Sequence, residues 1–127
     1  NYIKENSLSK KIKLTGFLKK KTIAKLLSKS DFLISCSKIE TFGITIAESI
    51  SSGIPPIVLD SGGPRDFTNK KNSILVNNFS ELERIIISNI KRKKLFNKTK
   101  MRKDIVKKFS KKSINLKFQE EINKLII

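Results

Sequence analysis

The stretch that decides the fold runs Phe32-Leu33-Ile34-Ser35-Cys36-Ser37-Lys38-Ile39-Glu40-Thr41-Phe42-Gly43-Ile44-Thr45-Ile46-Ala47-Glu48-Ser49-Ile50-Ser51-Ser52-Gly53-Ile54-Pro55. It opens with an apolar run of strand length, Phe32 to Cys36, followed by a short polar loop. Gly43 then begins a helix that carries Ile46, Ala47 and Ile50 on one side. Gly53 stops that helix, and Pro55 just beyond bars its continuation. A strand, a polar loop with glycine at the turn and a helix N-terminus together make an anion site, because unpaired amides and the positive end of the helix dipole point at whatever sits there. A phosphate is the natural guest. The pattern is neither a GxGxxG dinucleotide fingerprint nor a P-loop, since both the glycine spacing and a Gly-Lys-Ser/Thr ending are missing.

The same alternation extends on both sides. Apolar runs of strand length stand at 12–17 (IKLTGF), 56–59 (PIVL) and 73–76 (SILV). Thr22 is placed to cap a helix through Ile23, Leu26 and Leu27, and Ser80 with Glu83 forms a capping box for a helix through Ile85, Ile86 and Ile90. Strands alternating with short helices imply right-handed crossovers and a parallel sheet covered on both faces, that is, a doubly wound α/β sheet. After residue 91 the pattern is wholly helical, with Phe109-Ser110 as the break between two basic amphipathic helices. Ligands of open parallel sheets gather at the carboxyl ends of strands, so the loops after residues 17, 36 and 59 are the places for chemistry.

The 127 residues suit one domain. A single cysteine, Cys36, excludes an internal disulfide framework, and the lack of histidine excludes a Cys/His zinc site, so a reducing, cytoplasmic setting fits best. No apolar run approaches the roughly 20 residues that span a bilayer. The chain starts at Asn1 in mid-pattern and reads as part of a longer protein. Its formal charge of +17 is unevenly spread: residues 91 to 124 hold 14 of the 28 basic side chains against three acids, Asp104, Glu120 and Glu121. Such charge suits an anionic membrane or nucleic acid. However, 24 of the 28 basic residues are lysine, which also reads as a solvated lysine-rich face in a compositionally biased chain. Nucleic-acid binding would need aromatic platforms, and Phe79, Phe96, Phe109 and Phe118 fall at apolar helical positions that suit a core.

Two carboxylates flank the expected anion site. Glu40 precedes the helix, where it can face a sugar beyond the phosphates. Glu48 lies five residues into the helix, about 7.5 Å along its axis from Gly43. Helical side chains lean toward the N-terminus, so its carboxylate can reach vicinal hydroxyls of a ribose while a pyrophosphate occupies the helix end. Gly43 either starts the helix or lets a ligand approach the backbone, and Gly62 and Gly63 suit a tight turn or a ligand-facing one. Ser37 either caps or touches phosphate. Cys36, at the end of an apolar strand, reads as a buried, inert thiol.

The motif Ser37-Lys38-Ile39-Glu40-Thr41-Phe42-Gly43-Ile44-Thr45-Ile46-Ala47-Glu48-Ser49, followed by Ser52-Gly53-Ile54-Pro55 and Ser61-Gly62-Gly63-Pro64-Arg65-Asp66, is similar to the donor-site signature of the retaining GT-B glycosyltransferases called group 1 or family 4. The resemblance runs from the strand ending at Gly16 to the basic C-terminal helices. Cys36, Ser49, Asp66 and Ser73 replace the family's usual proline, alanine, glutamate and glycine.

This resemblance implies that residues 1–127 form a truncated nucleotide-sugar-binding C-terminal domain, with 110–127 as its last helix. The N-terminal acceptor domain and two leading strand-helix units fall outside the chain. It implies transfer of a sugar from a nucleotide-diphosphate donor to a glycan or lipid-linked acceptor with retention of configuration, no metal and no cofactor. Glu40 then meets donor-sugar hydroxyls and steadies charge at the anomeric carbon, and Glu48 binds the ribose. Ser37, Phe42, Gly43, Ile44, Gly62 and Gly63 line the donor, and Gly16 and Phe17 neighbour the base. Peripheral contact with anionic membrane at its inner face is expected from the basic helices, and no nucleic acid partner is. The chain alone is expected to transfer no sugar, because the chemistry of this family lies in a cleft between two domains. The alternatives are a basic nucleic-acid-binding α/β domain and an inactive remnant serving as an interaction module.

Overall fold

A computed structural model describes residues 2–91 and 96–126. Its centre is the Pro-Ile-Val-Leu run, which forms strand β2 (Pro56–Leu59) with all four residues buried. β2 pairs in parallel with β1 (Leu33–Ser35) on one side and with β3 (Ile74–Val76) on the other. Successive side chains of a strand point to opposite faces, so burial of every β2 residue requires cover on both. Val58 faces a core of Ile46, Ile50, Phe67, Met101 and Ile105. Ile57 and Leu59 face a second core with Val76 and Leu82. The first core is closed by α3 (Ile44–Ser51) and α5 (Lys98–Phe109), and the second by α4 (Phe79–Lys91). The doubly covered parallel sheet read from the sequence is therefore present.

Helix boundaries follow local chemistry. At the end of α3 the Gly53 N–H donates to Ile50 O and the Ile54 N–H to Ser49 O, with Gly53 at φ +74°, which is the Schellman arrangement. Ser49, standing where alanine was expected, is buried and donates its hydroxyl to Ile54 O at 2.8 Å. Ser110 separates α5 from α6 (Lys111–Leu125) by accepting from the Ser113 N–H. α4 starts earlier than the Ser80/Glu83 box implies. Asn78 Oδ1 accepts from the Glu81 N–H, and Glu81 reaches back to the Asn77 N–H, both at 2.8 Å. Asn and Ser cap about equally well, and the earlier pair adds a carboxylate clasp. The Asn77 N–H, then its side chain and the Arg84 charge, hold the Glu81 carboxyl below its usual range. Ile90 lies in α4, and its side chain falls outside the described residues.

Several expectations are corrected. Residues 12–17 form no strand: Ile12, Leu14 and Phe17 are exposed, and alternation without a partner edge cannot make a ladder. The helix predicted from Thr22 is α2 (Lys20–Leu27), preceded by Lys19 without a side-chain cap. A four-residue turn of helix, α1 (Tyr2–Glu5), precedes it. Cys36 is exposed, because β1 ends one residue before it. Phe79 and Phe118 are exposed as well, the latter at 66%, since α6 buries none of its residues. Phe96 and Phe109 do pack against the first core. Arg92, Lys93, Lys94 and Leu95, part of the basic segment, lie outside the described residues.

The carboxyl-edge loops of β1 and β2 are joined by a parallel bridge between Glu40 and Gly62. The Glu40 N–H donates to Ser61 O at 3.1 Å, and the Gly63 N–H donates to Glu40 O at 2.9 Å. This approach leaves no room for a side chain, for a Cβ on Gly63 would stand 2.0 Å from Thr41 O and 2.7 Å from Glu40 O.

Two stability outcomes follow from these contacts. Asn78→Ala should destabilise by about 1 kcal/mol and Ser80→Ala by less than about 0.5 kcal/mol in urea denaturation; the reverse order would restore the later cap. Gly63→Ala should cost at least about 3 kcal/mol because backbone, not a flexible side chain, must move. Gly16→Ala, at φ +59° with nothing within 4 Å, should cost only about 1 to 2 kcal/mol of left-handed strain.

Candidate functional site

The site is built from three loops or helix ends at one edge of the sheet. Ile57, Val58 and Leu59 are buried, so β2 fixes the position of Asp60, whose N–H is also held by Val76 O at 2.8 Å. From Asp60 the chain turns through Gly62, at φ +98°, into a short 3-10 turn at Gly63–Asp66. Arg65 returns to Asp60 with two hydrogen bonds, Nε to Oδ1 at 2.6 Å and a terminal nitrogen to Oδ2 at 2.5 Å. Those bonds hold the Asp60 carboxyl below the usual carboxylate range, with the Arg65 charge and the Gly62 N–H adding to the effect and desolvation opposing it. Because the folded value is depressed, the pair contributes above the ordinary carboxyl pKa. Its contribution fades as pH falls through the depressed value.

Glu40 is gripped by this turn through its backbone, which leaves its half-buried side chain to project beside Gly43. A Cβ on Gly43 would lie 3.4 Å from Glu40 Cγ, 2.9 Å from Ile46 Cδ1 and 3.0 Å from Pro64 Cγ. Gly43 itself adopts φ +85°, ψ +57°, and its carbonyl accepts from the Ile46 and Ala47 amides at 3.0 Å. No side chain caps α3 and no acid occupies its first turn, so its leading amides present partial positive charge at the loop. Glu48 is half-buried on α3, beside α5. With Phe42, Ile44, Ile105, Val106 and Phe109 it lines a groove of about 210 Å³. Among the described residues, neither the Glu40 nor the Glu48 carboxylate has a hydrogen bond or an ion pair, and both remain available to a ligand.

The structure thus brings Glu40, Gly43, Gly62 and Gly63 into direct neighbourhood and sets Phe42, Ile44 and Glu48 along one groove that runs between α3 and α5. The Phe42 ring is engaged with Phe67 and Phe109, at centroid distances of 5.1 and 5.3 Å, and still lines the groove. Ser37 is exposed in the loop, without a hydrogen-bond partner among the described residues. Gly16 and Phe17 are not joined to the Glu40 loop by any hydrogen bond or ring contact among the described residues, and Phe17 is 97% exposed. Sequence reasoning missed Pro64, buried against Gly43, and the Phe67 and Phe109 rings that support Phe42. It also missed Lys108, whose ammonium donates to Asp66 O and ties α5 to the 3-10 turn. The opposite charges of Asp60 and Arg65 on either side of the Gly-Gly pair were the one local signal available.

A family model described as "Glycosyl transferases group 1" matches residues 1–112. The 2-deoxystreptamine N-acetyl-D-glucosaminyltransferase of Niallia circulans is 32% identical over 74 residues, which are 58% of this chain and 19% of that protein. Among solved structures, Anabaena Alr3699/HepE in complex with UDP-glucose superposes with a TM-score of 0.79 over 96% of this chain and 35% of that chain. At 23% identity this likeness concerns the fold, which is the α/β arrangement of GT-B glycosyltransferases. The chain spans well under half the length of either protein. With the match extending over most of the sequence, from the first residue into α6, the chain belongs to the group 1 glycosyl transferases.

Proposed function

We propose that this chain is the donor-binding C-terminal domain of a retaining glycosyltransferase. The observation that carries the reading is the pinned Glu40 beside the uncapped start of α3, with Glu48 five residues along and both carboxylates free of partners among the described residues. An anionic diphosphate seats at the amides that begin α3, where partial positive charge offsets its own. Glu48 accepts hydrogen bonds from the ribose hydroxyls. Glu40 accepts from hydroxyls of the sugar and steadies the positive charge that grows at the anomeric carbon as the bond to phosphate breaks. Ser37, Phe42, Ile44, Gly62 and Gly63 line the donor mainly through backbone groups, and Gly16 and Phe17 neighbour the base. In this reading the reaction uses neither metal nor cofactor, and the acceptor, a glycan or a lipid-linked sugar, meets the donor on a wall supplied by sequence outside these residues. The UDP-glucose bound to Anabaena Alr3699/HepE makes UDP-glucose the first donor to test.

A second element of the reading is peripheral membrane contact, on the cytoplasmic side. Met101 and Ile105 turn into the core, so the face of α5 bearing Lys100, Lys103 and Lys107 points outward. Lys70 and Lys71 line a groove beside Lys100. Lysines near an anionic surface contribute about 1 kcal/mol each, whereas nucleic-acid binding would want ring platforms among them. No helix among the described residues is long and apolar enough to cross a membrane.

Calorimetry separates the two glutamates. Glu48→Ala should weaken both UDP and UDP-glucose by about 1.5 to 3 kcal/mol, the range for hydrogen bonds to a charged group. Glu40→Ala should leave UDP nearly unaffected while lowering turnover in the complete enzyme. Unchanged binding and transfer in both variants would remove the donor site from this loop and helix. For the membrane contact, replacing Lys100, Lys103 and Lys107 with glutamate should abolish co-sedimentation with phosphatidylserine vesicles at low salt. Binding by the unmodified chain that persists at high salt, or none at any salt, would contradict it.

A further inference from the structure

The Gly62-Gly63 pair that grips Glu40 is made of the residues that lose most freedom on ordering, so something beyond the glycines must hold the turn. Pro64 stiffens one side of it. A further constraint is the Asp60–Arg65 pair, which closes a six-residue ring around the turn. One end of that ring is anchored to the sheet by the Asp60 N–H on Val76 O, and the Arg65 N–H donates to Gly62 O at 3.0 Å within the turn itself. Within it lie Ser61 O and the Gly63 N–H, the two groups that hold Glu40 by its backbone. Arg65 is 67% exposed and Asp60 14%, and an ion pair so open to water adds little to global stability. Its consequence is geometric. Two parallel bonds fix the guanidinium against the carboxylate in direction as well as distance, which a single contact would not do.

We infer that Arg65, acting through Asp60, is a positioning residue for Glu40: the pair orders the Gly62-Gly63 turn and thereby sets where the Glu40 carboxylate stands. The inference rests on the donor-site reading for its effect on ligand, while the ordering of the turn stands apart from that reading.

Two measurements on the full chain keep these apart. Hydrogen exchange at the Glu40 and Gly63 amides should quicken about tenfold in Arg65→Met, with the β2 amides unchanged and the thermal midpoint nearly so. In calorimetry, UDP-glucose should bind Arg65→Met about three- to tenfold more weakly while UDP changes less than about twofold, because only the sugar meets Glu40. Arg65→Lys should recover part of the difference, and Asp60→Asn should reproduce Arg65→Met without adding to it in the double variant. Unaltered exchange at Glu40 and Gly63 would overturn the inference. So would equal weakening of UDP and UDP-glucose, or exchange that quickens while sugar recognition stays intact. Should the unsubstituted chain bind neither probe, the donor-site reading fails, and the exchange rates still decide whether Arg65 orders the turn.

Discussion

The rest of the site depends on one close approach, where the backbone of Gly63 lies against the backbone of Thr41 with no space for a Cβ between them. Through it the loop after β1 and the loop after β2 become a single unit, bridged by the two hydrogen bonds of Glu40. The requirement propagates. Gly62 must take a positive φ to bring Gly63 inward, Pro64 must lie against Gly43, and Gly43 must lack a side chain so that α3 can begin there. The buried β2 run supplies the rigid floor from which Asp60 and the turn depart. A carboxylate placed by such a frame is held by backbone and sheet instead of by side-chain partners, which leaves it free to meet a ligand.

The electrostatics fit that arrangement. Two unpaired acids beside the proposed anion site look unfavourable in isolation, but the uncapped amides of α3 supply partial positive charge there. Each acid is also displaced from the helix end, Glu40 into the loop and Glu48 along the helix. In the proposed donor site, hydroxyl groups would therefore meet carboxylate and phosphate would meet amide. The aromatic triad of Phe42, Phe67 and Phe109, with two edge-on contacts and one tilted contact worth about 0.5 to 1.5 kcal/mol each, ties this loop to α5.

Much of this was legible in the residues. The runs at 32–36, 56–59 and 73–76 gave strands because burial on both faces writes itself as uninterrupted apolar sequence, and Gly43, Gly53 and Ser110 punctuated their helices as expected. The run at 12–17 misled because alternation reports side-chain polarity and says nothing about whether a partner edge is at hand. The start of α4 was displaced because Asn78 and Ser80 are near-equivalent caps, and only Glu81 reaching back to Asn77 decides between them. Glu40, Gly43, Gly62 and Gly63, which stand side by side in the structure, were singled out from the strand, loop and helix pattern together with the resemblance to the glycosyltransferase signature. Pro64, Phe67, Phe109 and Lys108 were not, because their roles arise from contacts between distant segments. Cys36 was misplaced for a similar reason, as a one-residue difference in where β1 ends turns a buried thiol into an exposed one.

We propose that the loop after β1, the Gly62-Gly63 turn and the start of α3 form one site for a nucleoside diphosphate. Amide chemical shifts of the labelled chain, followed while UDP is added, test it most directly. Saturable shifts should concentrate at Ile44, Thr45, Gly62, Gly63 and Glu48, with the lysine-bearing face of α5 little changed. Shifts spread over the lysines of α5 and α6 and vanishing with added salt, with none at the start of α3, would contradict it.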